Sequence, residues 1–302
     1  MVIGCLIFER WPLIAGGARQ LLTANVYWLL AAVGVTVLGW AAVSLARQGT
    51  VLEPLPARRL FATQFAAGAA NHLLPAGLGA GAVNLRFLRK CGLPLGRSSA
   101  ALALYLLSES VGRCLLLLVL LVAFPDALDL RALHLGQALP DGVLPAAAGL
   151  GCAVVLVLTV LTVLALLPAL RRAIRTFLTT AFTDLRSLHA RPARALALWC
   201  GSLGFPALQA AGLVTVALAL RMPVPVVHVA IAYLAASVAA ALVPTPGGLG
   251  SVDAALVVAL VTTGASATAA TSAVLGFRII TVWLPLVPAA LTLGALVRRR
   301  VV

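Results

Sequence analysis

The stretch PTPGGLGSVD, residues 244–253, decides how this chain folds. It breaks a run from Met222 to Val252 that contains no Asp, Glu, Lys or Arg. Proline and clustered glycine end helices, and a broken helix leaves backbone N–H and C=O groups unpaired. In the hydrocarbon core of a membrane, such groups are tolerated only where they are buried in protein or line a water-filled cavity. The stretch therefore predicts a helical hairpin with its tip at an internal polar cavity.

Long uncharged segments lie on both sides of this break. The chain has 302 residues, of which 62% are hydrophobic and 10% charged, with a mean hydropathy of +1.10. Soluble domains are roughly a quarter charged, and a helix of about 20 apolar residues crosses a bilayer core. The sequence predicts an all-α polytopic membrane protein, a single integral domain over residues 1–302. We expect about five full transmembrane spans: 25–46, 99–124, 143–168, 195–220 and 267–297.

A second break of the same kind occurs in LLPAGLGAG, residues 73–81. Its flanking helices, 58–73 and 80–91, would rise roughly 24 and 18 Å, which is too short to cross a core of about 30 Å. A re-entrant hairpin, with both ends on one side of the membrane, solves this problem. Within the two breaks, PAGLG (residues 75–79) aligns with PGGLG (residues 246–250).

The pattern of uncharged span, broken hairpin and arginine-bearing span occurs twice. The arginines are Arg113 and Arg278, and threading the chain makes the two hairpins enter from opposite sides. This is an inverted-topology repeat, which is typical of transporters, with repeat 1 at about 21–124 and repeat 2 at about 143–297. The symmetry also predicts a span before repeat 1, where only the interrupted segment 1–17 occurs. That element is either degenerate or truncated.

Basic residues are concentrated on one side of the threaded chain. That side holds the loops after the first span, the segment 169–194 and the C-terminus, and the positive-inside rule makes it cytoplasmic. Residues 169–189 place apolar and basic residues on opposite faces, which predicts an interfacial amphipathic helix, with a solvated linker helix as the alternative. The net charge of +14 is thereby attributed to loops that face anionic lipid, and no nucleic-acid partner is expected.

The breaks also predict anion sites, because each begins a new helix with free N–H groups and a positive dipole end. Glycine lets a lipid headgroup approach the backbone closely, and Ser251 is the expected N-cap of the helix after the second break. Tight helix packing is the alternative reason for the glycines. The candidate binding residues at the breaks are Gly77, Gly79, Gly247, Gly248, Gly250 and Ser251.

Few ionisable residues lie inside the predicted spans, and such residues normally face a cavity or one another. Arg113 and Arg278 would offer forked donors to a phosphate. Glu109 and Asp253 would hold these arginines or contact an ammonium group, and Asp253 lies within plausible reach of Arg278. Because Glu109 and Arg113 are four residues apart, an ordinary intrahelical ion pair is the alternative.

Three more residues flank the first break. Arg86 follows Gly79 by two helical turns and is either another substrate contact or an arginine that extends to the membrane surface. His72 and Asn71 precede the break, and we expect them to cap its freed backbone.

Motifs for catalysis, metals and nucleotides are missing from the sequence. The five cysteines are scattered singly, and there is no GxSxG, HExxH or Walker pattern. We therefore expect no catalytic residue, no metal and no cofactor.

Three segments carry a resemblance to a known family. They are NHLLPAGLGAGAVNLRFLRKCGLP (71–94), PTPGGLGSVDAALVVAL (244–260) and AVLGFRIITVWLP (273–285). They resemble the membrane domain of the lysylphosphatidylglycerol synthase/flippase family, over roughly residues 20–297. The resemblance implies that an anionic or aminoacylated phospholipid is flipped between leaflets of a bacterial-type plasma membrane. It also implies a homodimer or a separate lipid-modifying transferase as partner.

Full-length members of that family add a soluble transferase after the membrane domain. The sequence here ends in VRRRVV, so we expect no lipid synthesis by it. Two alternatives to a flippase remain open from the sequence. One is a membrane-embedded subunit of a lipid-linked glycosyl- or aminoacyl-transferase, and the other is a gradient-driven transporter of small solutes.

Overall fold

The computed structural model describes residues 23–73, 78–124, 190–241, 250–299 and 301–302. All regular structure in these ranges is helical, which confirms an all-α protein. The predicted span 143–168, the predicted amphipathic helix 169–189 and the segment 1–17 lie outside the described residues.

Eight helices form the described part of the chain. They are α1 Val26–Gly49, α2 Ala57–Leu73, α3 Leu78–Lys90, α4 Leu95–Ala123, α5 Pro192–Ala219, α6 Val226–Ala241, α7 Ser251–Thr262 and α8 Ala267–Arg298. Of these, α1, α4, α5 and α8 are long and apolar enough to cross a membrane. Four of the five predicted spans are thereby confirmed, and the protein is a polytopic membrane protein.

The outer faces of three long helices expose large apolar side chains. Leu38 on α1, Val122 on α4 and Leu291 on α8 are 56%, 74% and 71% exposed. A water-soluble protein rarely exposes continuous apolar surface of this kind, whereas lipid tails solvate it. The other large exposed side chains on α4 include Leu107, Val111, Leu115, Leu118 and Val119.

Helices α1 and α5 form the most extensive helix pair and run antiparallel. The N–H of Asn25 donates to the carbonyl of Ala219 at one end, and Gly49 meets Leu198 at the other. A Cβ on Gly201 would come within 2.5 Å of the carbonyl oxygen of Ala42, so only glycine allows this approach. Small residues at close helix contacts are the usual basis of helix association in lipid. An inverted repeat requires this antiparallel arrangement, although the equivalence of the two repeats stays a prediction.

Each break separates two helices that pack against each other. We name α2 with α3 hairpin 1, and α6 with α7 hairpin 2. In hairpin 1, the Gln64 side-chain amide donates to the Asn84 side-chain oxygen at 2.7 Å. The helix bounds agree with the predicted arms 58–73 and 80–91 to within two residues.

Two apolar clusters lie at opposite ends of the long helices. The upper cluster packs hairpin 2 against α5 and the first half of α8, with Leu213, Leu256 and Phe277 at its centre. The lower cluster packs hairpin 1 against the other end of α8, with Leu60, Phe87 and Leu296. Because α8 contacts one cluster with each half, it fixes the two hairpins at opposite ends of the molecule.

Basic residues flank the members of the lower cluster in the sequence, and we call this end of the molecule the basic end. Arg194 on α5 donates to the carbonyls of Gln48 and Leu52, and Arg97 on α4 is paired with Glu53. Described basic residues next to members of the lower cluster are Arg58, Arg59, Arg86, Arg89, Lys90, Arg298 and Arg299. The distribution in the structure thus follows the charge asymmetry of the sequence.

Helix α8 contains a local irregularity at its middle. Residues Ile279–Trp283 form a π-helical turn between the α-helical segments Ala267–Arg278 and Leu284–Arg298. Such turns insert one extra residue and occur often at functional sites. The turn begins directly after Arg278.

Candidate functional site

A cavity of about 580 Å³ lies between the two apolar clusters, and all eight described helices contribute to its wall. This volume is in the usual range for small-molecule sites. Its polar wall residues are Thr36, Arg47, Gln64, Asn71, His72, Asn84, Tyr105, Glu109, Gln209, Tyr233, Arg278 and Thr281. Its larger apolar wall residues are Trp40, Val43, Leu102, Leu106, Phe205, Val252, Phe277 and Val282. The site is therefore amphipathic.

Both hairpins bring their broken ends to this cavity. Asn71 and His72 are near the end of α2, Gly81 is near the start of α3, and Val252 is in the first turn of α7. The predicted association of the breaks with a polar cavity thus agrees with the geometry.

The cavity follows one face of α1 toward the basic end. Thr36, Trp40, Val43 and Arg47 line it and are spaced by four, three and four residues, as one helix face requires. At about 1.5 Å per residue, this stripe is roughly 16 Å long, about half of a bilayer core. A headgroup bound along it would still be well inside the protein.

Arg47 is the charged residue of this stripe, and it is buried. Only 8% of its surface is exposed, and its guanidinium carbon lies 3.9 Å from the centroid of the Tyr105 ring. The nitrogens Nε and Nη1 of Arg47 are buried without a hydrogen-bond partner. Buried charged groups are normally paired, so this arginine is an unsatisfied charged group on the cavity wall.

The sequence did not single out Arg47, because a basic residue directly after the predicted span 25–46 fits a loop at the membrane surface. Helix α1 continues to Gly49 instead, which places Arg47 in its last turn and inside the protein. The signal that could have found it is the spacing of seven residues between Trp40 and Arg47. That spacing puts both on one helix face.

Glu109, the predicted partner of Arg113, lines the cavity, whereas Arg113 lies behind Glu109 and does not line it. Their side chains form an ion pair along α4, so the intrahelical alternative is the one observed. The Nε of Arg113 is buried without a partner. Glu109 therefore enters the cavity wall with its charge compensated from behind.

Asp253 and Arg278 form the second ion pair, as their predicted proximity suggested. The Arg278 Nε donates to Oδ1 of Asp253, while Oδ2 accepts the N–H of Gly250 at 3.1 Å. Asp253 thus joins the start of α7 to the middle of α8. Arg278 itself lines the cavity, with 13% of its side chain exposed.

The N-cap of α7 differs from the prediction. Gly250 occupies the N-cap position with φ +89°, and Ser251 is the first helical residue. The carboxylate of Asp253, at the third helical position, accepts the N-cap N–H of Gly250, which is one half of a capping box. Only glycine adopts this left-handed conformation without strain.

Of the candidate glycines in the two breaks, some lie outside the described residues and Gly79 serves helix packing. Gly77, Gly247 and Gly248 lie outside the described residues. A Cβ on Gly79 would meet the Ala70 carbonyl oxygen at 1.9 Å, so Gly79 lets α3 pack closely on α2. The packing explanation therefore accounts for Gly79, and this residue contacts α2 rather than the cavity.

Arg86 is not brought to the cavity. It is exposed near the C-terminal end of α3, at the basic end, so the alternative of an arginine that extends to the membrane surface describes it. Two helical turns separate it from the tip of hairpin 1, and this distance along α3 carries it away from the cavity. Arg86 does not line the cavity described here, and a contact with a substrate stays a prediction.

His72 and Asn71 line the cavity, and the expected capping role is not observed for His72. Its Nδ1 is buried without a hydrogen-bond partner. No group of His, Cys, Asp and Glu among the described residues could hold a metal ion.

A family model described as the lysylphosphatidylglycerol synthase TM region matches residues 11–289. The chain belongs to this family. No curated protein matches the chain significantly. In this member of the lysylphosphatidylglycerol synthase membrane-domain family, the cavity thus combines residues from both hairpins and from all four described spans.

Proposed function

We propose that the protein translocates an anionic or aminoacylated phospholipid between the leaflets of a bacterial-type plasma membrane. The observation that carries this proposal is the amphipathic cavity at the ends of two hairpins, inside a helical body with an apolar outer surface. A polar headgroup would travel along the cavity while the acyl chains stay in lipid. Membership of the family supports the same function.

The proposal includes an orientation and no chemical step. The basic end would face the cytoplasm, in agreement with the positive-inside rule. Glu109 and Asp253 each form an ion pair with an arginine. A paired carboxylate is better suited to positioning an arginine than to acting as a free acid or base. The proposed partners are the phospholipid itself and either a second copy of the chain or a separate lipid-modifying transferase.

Leaflet exchange in proteoliposomes tests the proposal. We expect the purified protein to exchange fluorescently labelled phosphatidylglycerol or lysyl-phosphatidylglycerol faster than empty liposomes. The cavity can be filled through Gly68→Phe, because Gly68 lines it and a Cβ there meets nothing within 4 Å. Gly34→Phe is the matched control, since Gly34 also has open space but lies outside the cavity.

We expect Gly68→Phe to reduce the exchange rate at least about tenfold and Gly34→Phe to leave it within about twofold. Exchange that is equal in protein-containing and empty liposomes, for every headgroup tried, would contradict the proposal. Equal rates for the two glycine variants would show that lipid does not pass along this cavity.

A further inference from the structure

The charges around the cavity do not cancel. Among the residues that the structure describes, three arginines and two carboxylates belong to this region. Arg113 is paired with Glu109, and Arg278 is paired with Asp253. Arg47 forms no ion pair within the described part of the chain, and the carboxylate that acts on it, Glu109, is already paired with Arg113.

The local structure holds Arg47 in a defined position. Its guanidinium stacks on the Tyr105 ring at 3.9 Å, and Tyr105 is only 5% exposed. A guanidinium held on an aromatic face keeps the N–H donors in its plane available to a ligand. Nε and Nη1 are buried on the cavity wall and still lack an acceptor. The side chain is thus fixed and unsatisfied at the same time.

The missing group must supply acceptor oxygens and one negative charge. A phosphodiester monoanion has both, and arginine–phosphate hydrogen bonds are among the strong charge-assisted ones. We infer that Arg47, stacked on Tyr105, binds the phosphodiester monoanion of an anionic lipid headgroup. The inference rests on the proposed function for the source of the ligand, a lipid, and it narrows the substrate class.

The charge count favours an anionic head over an aminoacylated one. A headgroup of net charge −1 neutralises the unpaired arginine. A lysylated head of net positive charge would leave the described cavity with more uncompensated charge than it has when empty, and buried uncompensated charge is costly. Arg47 therefore selects against the cationic lipid in this conformation.

Lipid binding by the purified chain in neutral detergent tests this inference without any need for transport. Native mass spectrometry would compare dioctanoyl forms of phosphatidylglycerol, phosphatidylcholine and lysyl-phosphatidylglycerol. We expect phosphatidylglycerol to be preferred over each of the other two by about tenfold, the effect of one charged hydrogen-bonding group. A lysylated lipid that binds as tightly as phosphatidylglycerol would overturn the selection for a monoanion.

Variants of Arg47 locate the effect. Arg47→Gln should reduce the preference to within about twofold, and Arg47→Lys should keep part of it, since lysine retains the charge without the planar donors. Arg58→Gln is the matched control because it removes an exposed arginine at the basic end. An undiminished preference in Arg47→Gln would overturn the inference.

Thermal unfolding separates binding from a structural role. In phosphatidylcholine nanodiscs, Arg47→Gln should be at least as stable as the wild type, because it removes a buried charge that has no partner. Phosphatidylglycerol should then stabilise the wild type and not the variant. An Arg47→Gln protein that fails to fold, or melts far below the wild type, would identify a structural arginine and overturn the inference.

Two further comparisons identify the ligand source and keep the two proposals apart. The tailless headgroup glycerophosphoglycerol should compete only at higher concentration than the lipid; competition at equal concentration would support a phosphodiester site that takes soluble anions. If the binding results hold while leaflet exchange is absent, the proposed function fails and the inference stands. If phosphatidylglycerol is exchanged equally by wild type and Arg47→Gln, the inference fails alone.

Discussion

The two hairpins share a glycine motif, yet the shared glycine does different physical work in each. In hairpin 1, Gly79 permits a close approach of α3 to the Ala70 carbonyl. In hairpin 2, Gly250 has a left-handed backbone and open space where a Cβ would be. A repeated motif therefore conserves the break in the helix without conserving the reason for each glycine.

The hairpins are also held by different polar contacts. Hairpin 1 is held internally by the neutral pair Gln64 and Asn84, between its own two arms. Hairpin 2 is held externally by the ion pair of Asp253 with Arg278, which joins it to α8. The difference predicts that hairpin 1 behaves as a packed unit, whereas hairpin 2 depends on a charge in the next helix.

The largest effect should come from Gly79→Ala. Its Cβ would come within 1.9 Å of backbone, which cannot be relieved by a side-chain rotation. We expect a loss of more than about 3 kcal/mol of stability, measured by denaturant titration in detergent micelles. Gly81→Ala on the same helix is the control, since nothing lies within 4 Å of its Cβ. Similar unfolding of both variants would refute the packing role of Gly79.

An intermediate effect should follow from Asp253→Asn. The change removes the negative charge that pairs with the partly buried Arg278, and we expect a loss of about 2 kcal/mol in the same titration. Combining it with Arg278→Met removes the positive charge as well, so the double variant should be more stable than Asp253→Asn alone. Strict additivity of the two single changes would show that the pair is not coupled.

The smallest effect should come from Gly250→Ala. There is no clash at this position, so the cost is the left-handed backbone alone, about 1 kcal/mol. Gly250→Asn should cost about as much as Gly250→Ala, because φ +89° with ψ −54° lies outside the αL region that asparagine tolerates. Equal melting temperatures for the alanine variant and the wild type would mean that the positive φ is not required.

Much of this fold could be predicted from composition and break positions alone. The bounds of α1, α4, α5 and α8 lie within four residues of the predicted spans, because lipid imposes length and apolarity on every crossing helix. The Asp253–Arg278 pair could also be predicted from the sequence. Charged residues are rare inside membrane spans, so each has few possible charge partners.

The wall of the cavity could not be predicted in the same way. Arg47 lines the cavity without having been predicted, and the predicted Arg86 does not line it, although both are arginines close to a helix end. The difference between them lies in tertiary packing. Helix α1 packs along α5 and α4, which buries Arg47 against Tyr105, whereas Arg86 is exposed near the C-terminal end of α3. Periodicity indicates which face a residue is on, but it does not say which helix covers that face.

The contact between hairpin 1 and the C-terminal half of α8 affects the order in which the protein can fold during synthesis. Hairpin 1 emerges early in synthesis, yet its apolar cluster requires Leu296 and Val302 from far along the chain. Contacts of such large sequence separation form late, because the intervening chain must be ordered first. The ribosome therefore releases hairpin 1 long before its final neighbour exists, and the nascent chain must protect that hairpin's apolar face until α8 arrives.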